Sequence, residues 1–585
     1  MRRSFENWPS FRDTDHQKAH KDWVKRAVDG GMRLMVMLAI ESPSLCRTGG
    51  GDTTSCDEIA SVKRQLTAAR DLQIEIDTEF GGPGKGWYRI VDNPADAKKA
   101  VADGKLAVVL GVETINPFGV GGVPITRLRE YRQQLGVRHI FPIHQGDNVI
   151  GGTAYFESRA QRQGNVPGDP FPGVSVEAII DSIGAALTPP VQSRYVVVTE
   201  DCADFAKYKR CNVNGLTPWG RDTILELMRA GILIDTDHMS RKSKSEVFEI
   251  AKANNVPLVS GHTGFNSVAK GSPNSGQDHE GQLTDEAYRQ ILDSGGMVGV
   301  ILSAGEYDQI HGTPRPLGKQ GVPYRCGRSS EAVAQSYLFA LDQGDGQGIA
   351  LASDIHTPSL LLPAPRFGPG KCAGGINGNV SGWAPRLAYP FVALGTGKKF
   401  PPMTMLDRIV DYNDDGFATI GQYPDLIADL EAVGISQDDL EPLFHSAEAY
   451  IRTWEKAELA AKNMVGRMDI KSLPLNPPGD IVTTLTINVS DPYFARVITG
   501  GTVFLGNTPI GQPGVPFSVT IPSTTTPCIC YTEPYPHPHK VCEGGDNTPG
   551  VANFSVRGVS GFLESELSVE FSPADSSNKC VGTPP

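Results

Sequence analysis

The chain contains no uninterrupted apolar run near the roughly 20 residues that cross a bilayer, so no transmembrane helix is expected. Basic charge is not in excess: 54 Lys and Arg stand against 66 Asp and Glu, for a net charge of −12. With a pI near 5.5, that balance argues against nucleic acid or an anionic membrane as a partner. None of the ten cysteines forms a CxxC pair, and Cys528-Ile-Cys530 is too tight to stand in for one, so a cysteine-built zinc site is not expected. The HExxH arrangement is missing too. His16 and His20 lie one turn apart on a helix read over Asp15 to Asp29, but with no Glu between them they read as a solvated face. Finally, Met1-Arg-Arg-Ser-Phe-Glu-Asn-Trp-Pro9 lacks the apolar core of a signal peptide.

What is present is a globular composition. The 585 residues are 39% hydrophobic and 21% charged, enough for a large core and more than one domain. The 65 Gly and 44 Pro imply many tight turns and long ordered loops. Cysteines fall in close pairs, Cys46 with Cys56 and Cys202 with Cys211, and Cys528, Cys530, Cys542 and Cys580 cluster near the C-terminus. Disulfides are the better reading, and a secreted, extracellular or periplasmic location follows from them. The sequons at Asn379, Asn488 and Asn553 are short enough to arise by chance.

The chain is organised around the stretch from Gly215 to Gly264, which alternates helix, strand, helix, strand. Ile224, Leu225, Leu227 and Met228 form an apolar helical stripe that stops at Gly231. Ile232, Leu233 and Ile234 then make a wholly apolar run suited to a strand buried on both faces. Asp237 and His238 follow. A second helix begins near Ser240, and the strand opened by Pro257-Leu-Val-Ser260 ends on His262. Two parallel strands each deliver a histidine at the carboxyl end, where α/β barrels build their active sites. Paired imidazoles there suggest a bound transition metal. Other strands end similarly. Leu106-Ala-Val-Val-Leu-Gly-Val-Glu113 ends on a carboxylate, Leu135 to His144 on a histidine (with His139 mid-strand and a weaker candidate), and Gly348 to Asp354 on a carboxylate followed by His356.

These strand ends resemble the membrane (renal) dipeptidase family of zinc peptidases, whose fold is an amidohydrolase-type (β/α)8 barrel. Gly231-Ile-Leu-Ile-Asp-Thr-Asp-His-Met-Ser240 and Pro257-Leu-Val-Ser-Gly-His-Thr263 carry the likeness, with Gly111-Val-Glu-Thr114 and Ala352-Ser-Asp354 beside them. The resemblance implies that His238 and His262 are zinc ligands and that Glu113 bridges two zinc ions. It further implies that His144 and Arg289 bind substrate, Arg289 through the substrate carboxylate, and that Asp354 shuttles the proton. The family's second Asp is replaced by His356, and Thr114 replaces a Gly. The likeness covers roughly residues 20 to 458.

Seven barrel strands are found, starting near Met32, Leu106, Val137, Gly231, Val256, Gly296 and Gly348. The family's missing strand is its first, which carries a His-x-Asp or His-x-His pair. The chain is therefore expected to begin downstream of its natural start and to hold one zinc rather than two. The barrel domain is expected over 1–470, a Pro-rich linker over 471–480 and a small β-sandwich-like domain over 481–585. His537-Pro-His539 reads as a solvent loop. The expected activity is zinc-dependent hydrolysis of dipeptides or related small amides. Two alternatives remain: another barrel hydrolase acting on a lactone, cyclic amide or phosphoester, and a non-catalytic secreted binding protein. Expected partners are a small peptide substrate and, at most, a second copy in a homodimer.

Overall fold

In a computed structural model, the chain is described over residues 8–10, 16–41, 56–119, 124–155, 199–201, 210–269, 280–302, 329–344, 346–355, 362–367, 385–405 and 408–464, with the single positions 43, 46 and 322. Beyond those, it is described as strand backbone over 468–471, 481–489, 502–505, 508–511, 517–521, 528–533, 539–543, 550–557 and 563–572. His356, Cys202, Cys580, His537 and the segment 472–480 lie outside the described residues.

The seven expected parallel strands occur in order: β1 (Leu34–Glu41), β2 (Leu106–Thr114), β3 (His139–Phe141), β4 (Leu233–Ile234), β5 (Val259–Thr263), β6 (Met297–Ile301) and β7 (Ile349–Ala352), and a further short strand that the sequence did not suggest, Tyr88–Ile90, pairs parallel with the start of β2. The seven pair in sequence order as two sheets, β1-β2-β3-β4 and β5-β6-β7. A single parallel bridge, Asp235 to Val259, continues one into the other. All nine residues of β2 are buried, which its unbroken apolar run requires. β1 and β7 differ, since only Ala39 and Ile349 on them are buried. Among the described residues no pairing joins β7 back to β1, so the seven strands do not close into a ring.

Helices alternate with the strands, several with the caps their sequence advertises. They are α1 (Lys21–Asp29), α2 (Glu58–Glu79), α3 (Pro94–Ala102), α4 (Pro218–Arg229), α5 (Arg241–Asn254), α6 (Asp285–Asp293), α7 (Ser330–Gln343), α8 (Tyr423–Ala432), α9 (Gln437–Phe444) and α10 (Ser446–Asn463). Ser240 and Thr284 cap α5 and α6, their hydroxyls accepting from the Ser243 and Ala287 amides. Tyr450, Ile451 and Trp454 of α10 pack with Val109, Leu233 and Val259, as their helical spacing implied. The helix predicted from Asp15 begins later, at Lys21, after a short turn over His16–Ala19. Cys46 and Cys56 are joined in a disulfide just before α2. Cys211 is also disulfide-bonded.

Two expectations are corrected. The strand expected to run to His144 stops at Phe141. Pro142 has no amide hydrogen to continue the ladder, so His144 sits on the loop beyond it. The expected solvent loop at His539 is instead the start of a strand, His539–Glu543, that pairs with Cys528–Glu533.

The chain divides into two compact units. The first, which holds all seven parallel strands, comprises Met1–Gly122, Leu135–Ile224 and Ile232–Ala457. The second comprises Val123–Gln134, Leu225–Gly231 and Glu458–Pro585. In the second unit, Met468–Lys471, Ile481–Val489 and Phe517–Ile521 form an antiparallel three-stranded sheet, and six further strands between Thr502 and Ser572 form another.

Within the first unit, Arg366 and Asp429 form a buried bidentate ion pair that Ser330 also joins. Arg366→Met would leave the Asp429 carboxylate buried without its cation, at a cost of about 3–5 kcal/mol. Urea unfolding of the variant measures that loss, and an unchanged midpoint would show that the pair contributes nothing.

Candidate metal centre

Glu113 ends the buried run of β2, and its carboxyl is fully enclosed. Three imidazoles converge on its Oε1. His262 Nε2 lies 2.8 Å away, His238 Nε2 3.2 Å and His144 Nε2 3.4 Å. His238 and His262 face each other through their Nε2 atoms at 3.2 Å. Among the described residues, Glu113, His238 and His262 are the set whose ligand atoms all lie within 4.8 Å of one another.

The local chain explains this convergence. β5 carries His262 straight into the cluster. His238 reaches it through a turn after β4, and takes the left-handed backbone at φ 63° to do so. Such a conformation is disfavoured for a side chain of this kind and is held by surrounding bonds. The His238 carbonyl accepts from the Ala154 amide at 2.7 Å, and the next-but-one amide, Ser240, donates to the Gly152 carbonyl at 2.9 Å. The Thr153 hydroxyl lies between the carbonyls of His144 and His238 and shares its one proton between them, which ties their two loops together.

A second layer orients the rings. Asp237 Oδ2 lies 3.0 Å from His262 Nδ1 and accepts from the His262 amide at 2.8 Å, while Ser260 donates to its other oxygen. With Nδ1 so held, His262 turns Nε2 toward Glu113, the arrangement in which a carboxylate fixes a metal-ligating imidazole. Deeper in, His139 lies 3.0 Å from Asp235 Oδ2 and 2.9 Å from the Tyr450 hydroxyl. His139 is therefore a buried support and is not a member of the cluster.

Burial alone would push the Glu113 carboxyl up. The His262 and His144 imidazoles, with bonds from His238 and His262, outweigh that and hold it well below the usual carboxylate range. For His262, burial acts downward, but the charges of Glu113 and Asp354 and the bond to Asp237 raise it well above the usual imidazole range. The site thus demands positive charge beside Glu113. Its second oxygen, Oε2, is buried with no hydrogen-bond partner, an orphan that a cation would satisfy. Donors about 2.1 Å from a tetrahedral ion stand about 3.4 Å apart. The three separations here are 2.8, 3.2 and 3.2 Å, so Glu113, His238 and His262 fit one transition-metal ion with slight spreading.

The other predicted residues divide. Asp354 follows β7, lines the same cavity as His262 and bears electrostatically on that ring. Its backbone is also left-handed, at φ 48°. His144 is buried against the His238 ring, with centroids 4.4 Å apart. Arg289 is not brought to this cluster. It is exposed on α6 and donates to the Gln343 side chain at 3.1 Å, because its helical position faces solvent while Tyr288 and Ile291 face the core. Asp237 was given no role from sequence, although its place between the apolar strand and His238 was the available signal. Phe141, whose ring centroid lies 5.0 Å from that of His262, had none.

Comparison with known proteins gives the same family as the strand-end motifs. Residues 195–312, which contain both His238 and His262, match the model of the membrane dipeptidases, peptidase family M19. Dipeptidase 3 of Macaca fascicularis is 28% identical over 120 residues, 19% of this chain and 22% of the relative. An uncharacterized dipeptidase of Schizosaccharomyces pombe is 22% identical over 237 residues, 40% of this chain and 41% of the relative. The matched parts thus span from about a fifth to two fifths of these relatives' lengths. Among solved structures, a Rhodobacter sphaeroides metallopeptidase liganded with a phosphinate mimic of L-Ala-D-Ala is 16% identical, with a TM-score of 0.41, over 74% of this chain and 89% of the other. Through residues 195–312, the segment that bears its paired histidines, the chain is similar to the membrane dipeptidases of peptidase family M19.

Proposed function

We propose that the protein is a zinc-dependent hydrolase of dipeptides or closely related small amides. The convergence of Glu113, His238 and His262 around a buried carboxylate oxygen with no other partner carries this reading. Two imidazoles, one carboxylate and an open fourth position make up a known type of catalytic zinc site. When bound, the ion supplies Lewis-acid chemistry, activating a water and polarising the scissile carbonyl. Asp354 takes the proton of the attacking water as the new C–O bond forms, then delivers it to the leaving nitrogen as the C–N bond breaks. His144 donates to the carbonyl oxygen as negative charge gathers there. Of the three candidate ligands His238 is the most open, at 16% side-chain exposure against 7% for His262 and 0% for Glu113. The Cys46–Cys56 disulfide supports an oxidising, extracellular or periplasmic setting. No helix among the described residues is long and apolar enough to cross a membrane.

Metal analysis of the purified full chain, beside a panel of dipeptides and lactones, tests the reading. About one zinc per chain is expected, lost in Glu113→Ala and His262→Ala, with turnover of dipeptides. A folded protein that takes up no zinc, or that turns over only lactones, would sink it. Asp354→Asn is expected to lower kcat by about 100-fold or more while zinc content stays unchanged. Asp237→Ala, by freeing His262 Nδ1, is expected to weaken zinc affinity by about 10- to 100-fold, read by competition with a chelating dye.

A further inference from the structure

The three candidate ligands do not come from one sheet. Glu113 lies on β2 and His238 follows β4, both in the sheet β1-β2-β3-β4, while His262 lies on β5 of the other sheet. The two sheets meet at the parallel bridge from Asp235 to Val259, where the Thr236 amide donates to the Val259 carbonyl at 2.8 Å. A constellation that must hold its donors to within about 0.5 Å needs rigid support, and a single backbone bridge is a slender one. Side chains at this seam therefore bear on the metal centre.

Asp235 sits at that seam with its carboxyl fully enclosed and both oxygens engaged. Oδ2 lies 3.0 Å from His139 Nε2, and His139 Nδ1 lies 2.9 Å from the Tyr450 hydroxyl. Oδ1 accepts from the Asp237 amide at 3.0 Å. Asp237 in turn accepts from the His262 amide at 2.8 Å and holds the ring Nδ1 at 3.0 Å. The contacts thus run from α10 and β3, through Asp235, to the residue that aims His262 Nε2 at Glu113. On the far side, β5 leaves room for the carboxyl. A Cβ on Gly261 would collide with Asp235 Oδ2, so Asp235 lies directly against the backbone that carries His262.

We infer that Asp235 is a positioning residue for the metal centre: by accepting the Asp237 amide, it sets His262 across the seam against Glu113 and His238. A carboxyl is a costly group to bury directly after the apolar run Ile232-Leu233-Ile234, and an aliphatic side chain of similar size would fill the same space. What an aliphatic group lacks is the acceptor for the Asp237 amide. The inference rests on the metal reading above and concerns how this chain's own residues are held.

The test uses the full chain, stripped of metal and titrated with zinc against a chelating dye. Asp235→Asn keeps both the size and an oxygen for the Asp237 amide, whereas Asp235→Val keeps the size and loses the acceptor. Asp235→Asn is expected to bind zinc within about threefold of wild type, and Asp235→Val about 10- to 100-fold more weakly. Cobalt(II) in place of zinc reports ligand geometry through its visible absorption, which a loss of stability alone would not shift. That spectrum is expected to match wild type in Asp235→Asn and to differ in Asp235→Val. Wild-type affinity in Asp235→Val, or an equal loss in both variants, would overturn the inference and leave the metal centre standing. Should Asp235→Val not fold, Gly261→Ala decides: displacing Oδ2 is expected to weaken zinc about tenfold or more, and an unchanged affinity would overturn the inference. Wild-type protein that binds no zinc would instead overturn the metal reading, and this inference with it.

Discussion

A carboxylate enclosed by protein must be met by positive charge or by hydrogen bonds, and Glu113 sets this condition for the whole centre. Its Oε1 gathers three imidazoles within 3.4 Å, while its Oε2 has no hydrogen-bond partner. Among the described residues, nothing in that shell is a permanent cation. The histidines either carry protons to balance Glu113 or, as neutral ligands, share an ion with it. The second arrangement also uses the orphaned oxygen, and it explains why Asp237 holds the far side of the His262 ring.

Holding such a cluster requires backbone that the chain would otherwise avoid. Both His238 and Asp354 adopt left-handed conformations, which cost an ordinary residue roughly 1–2 kcal/mol each. The loops around them offset this strain with specific bonds. Thr153 bridges the His144 and His238 carbonyls, and the buried Glu280 carboxyl accepts from the amides of Tyr155, Asn212 and Arg241. These contacts join segments far apart in sequence around the Glu113, His238 and His262 cluster. Among the described residues, no strand pairs with the outer edges of β1 and β7, and on β1 the Gln65 side chain meets the Ile40 backbone instead.

Much of this was legible beforehand, for identifiable reasons. Unbroken apolar runs mark parallel strands buried on both faces, so the seven strands and their order followed from hydrophobicity alone. The polar residue that terminates such a run has few places to go, which is why Glu113, His238 and His262 could be named together. His144 was named but misplaced by element, because the effect of Pro142 on the ladder was not weighed against the apolar run around it. Arg289 went astray for a related reason: helical periodicity places Tyr288 and Ile291 inward, and that leaves Arg289 facing solvent.

By itself, then, the sequence determined the α/β architecture, the residues that end the buried strands and the family those endings match. Those features depend on local pattern, on where apolar runs stop and which side chain follows. Tertiary structure alone decided which loops meet. That Asp237 orients His262, that His139 serves as a buried support with Asp235 and Tyr450, and that Gln65 occupies the edge of β1 are contacts across 25 to 311 positions of chain. No local pattern encodes such distances, because they depend on how the strands register and on what the packed helices leave open between them.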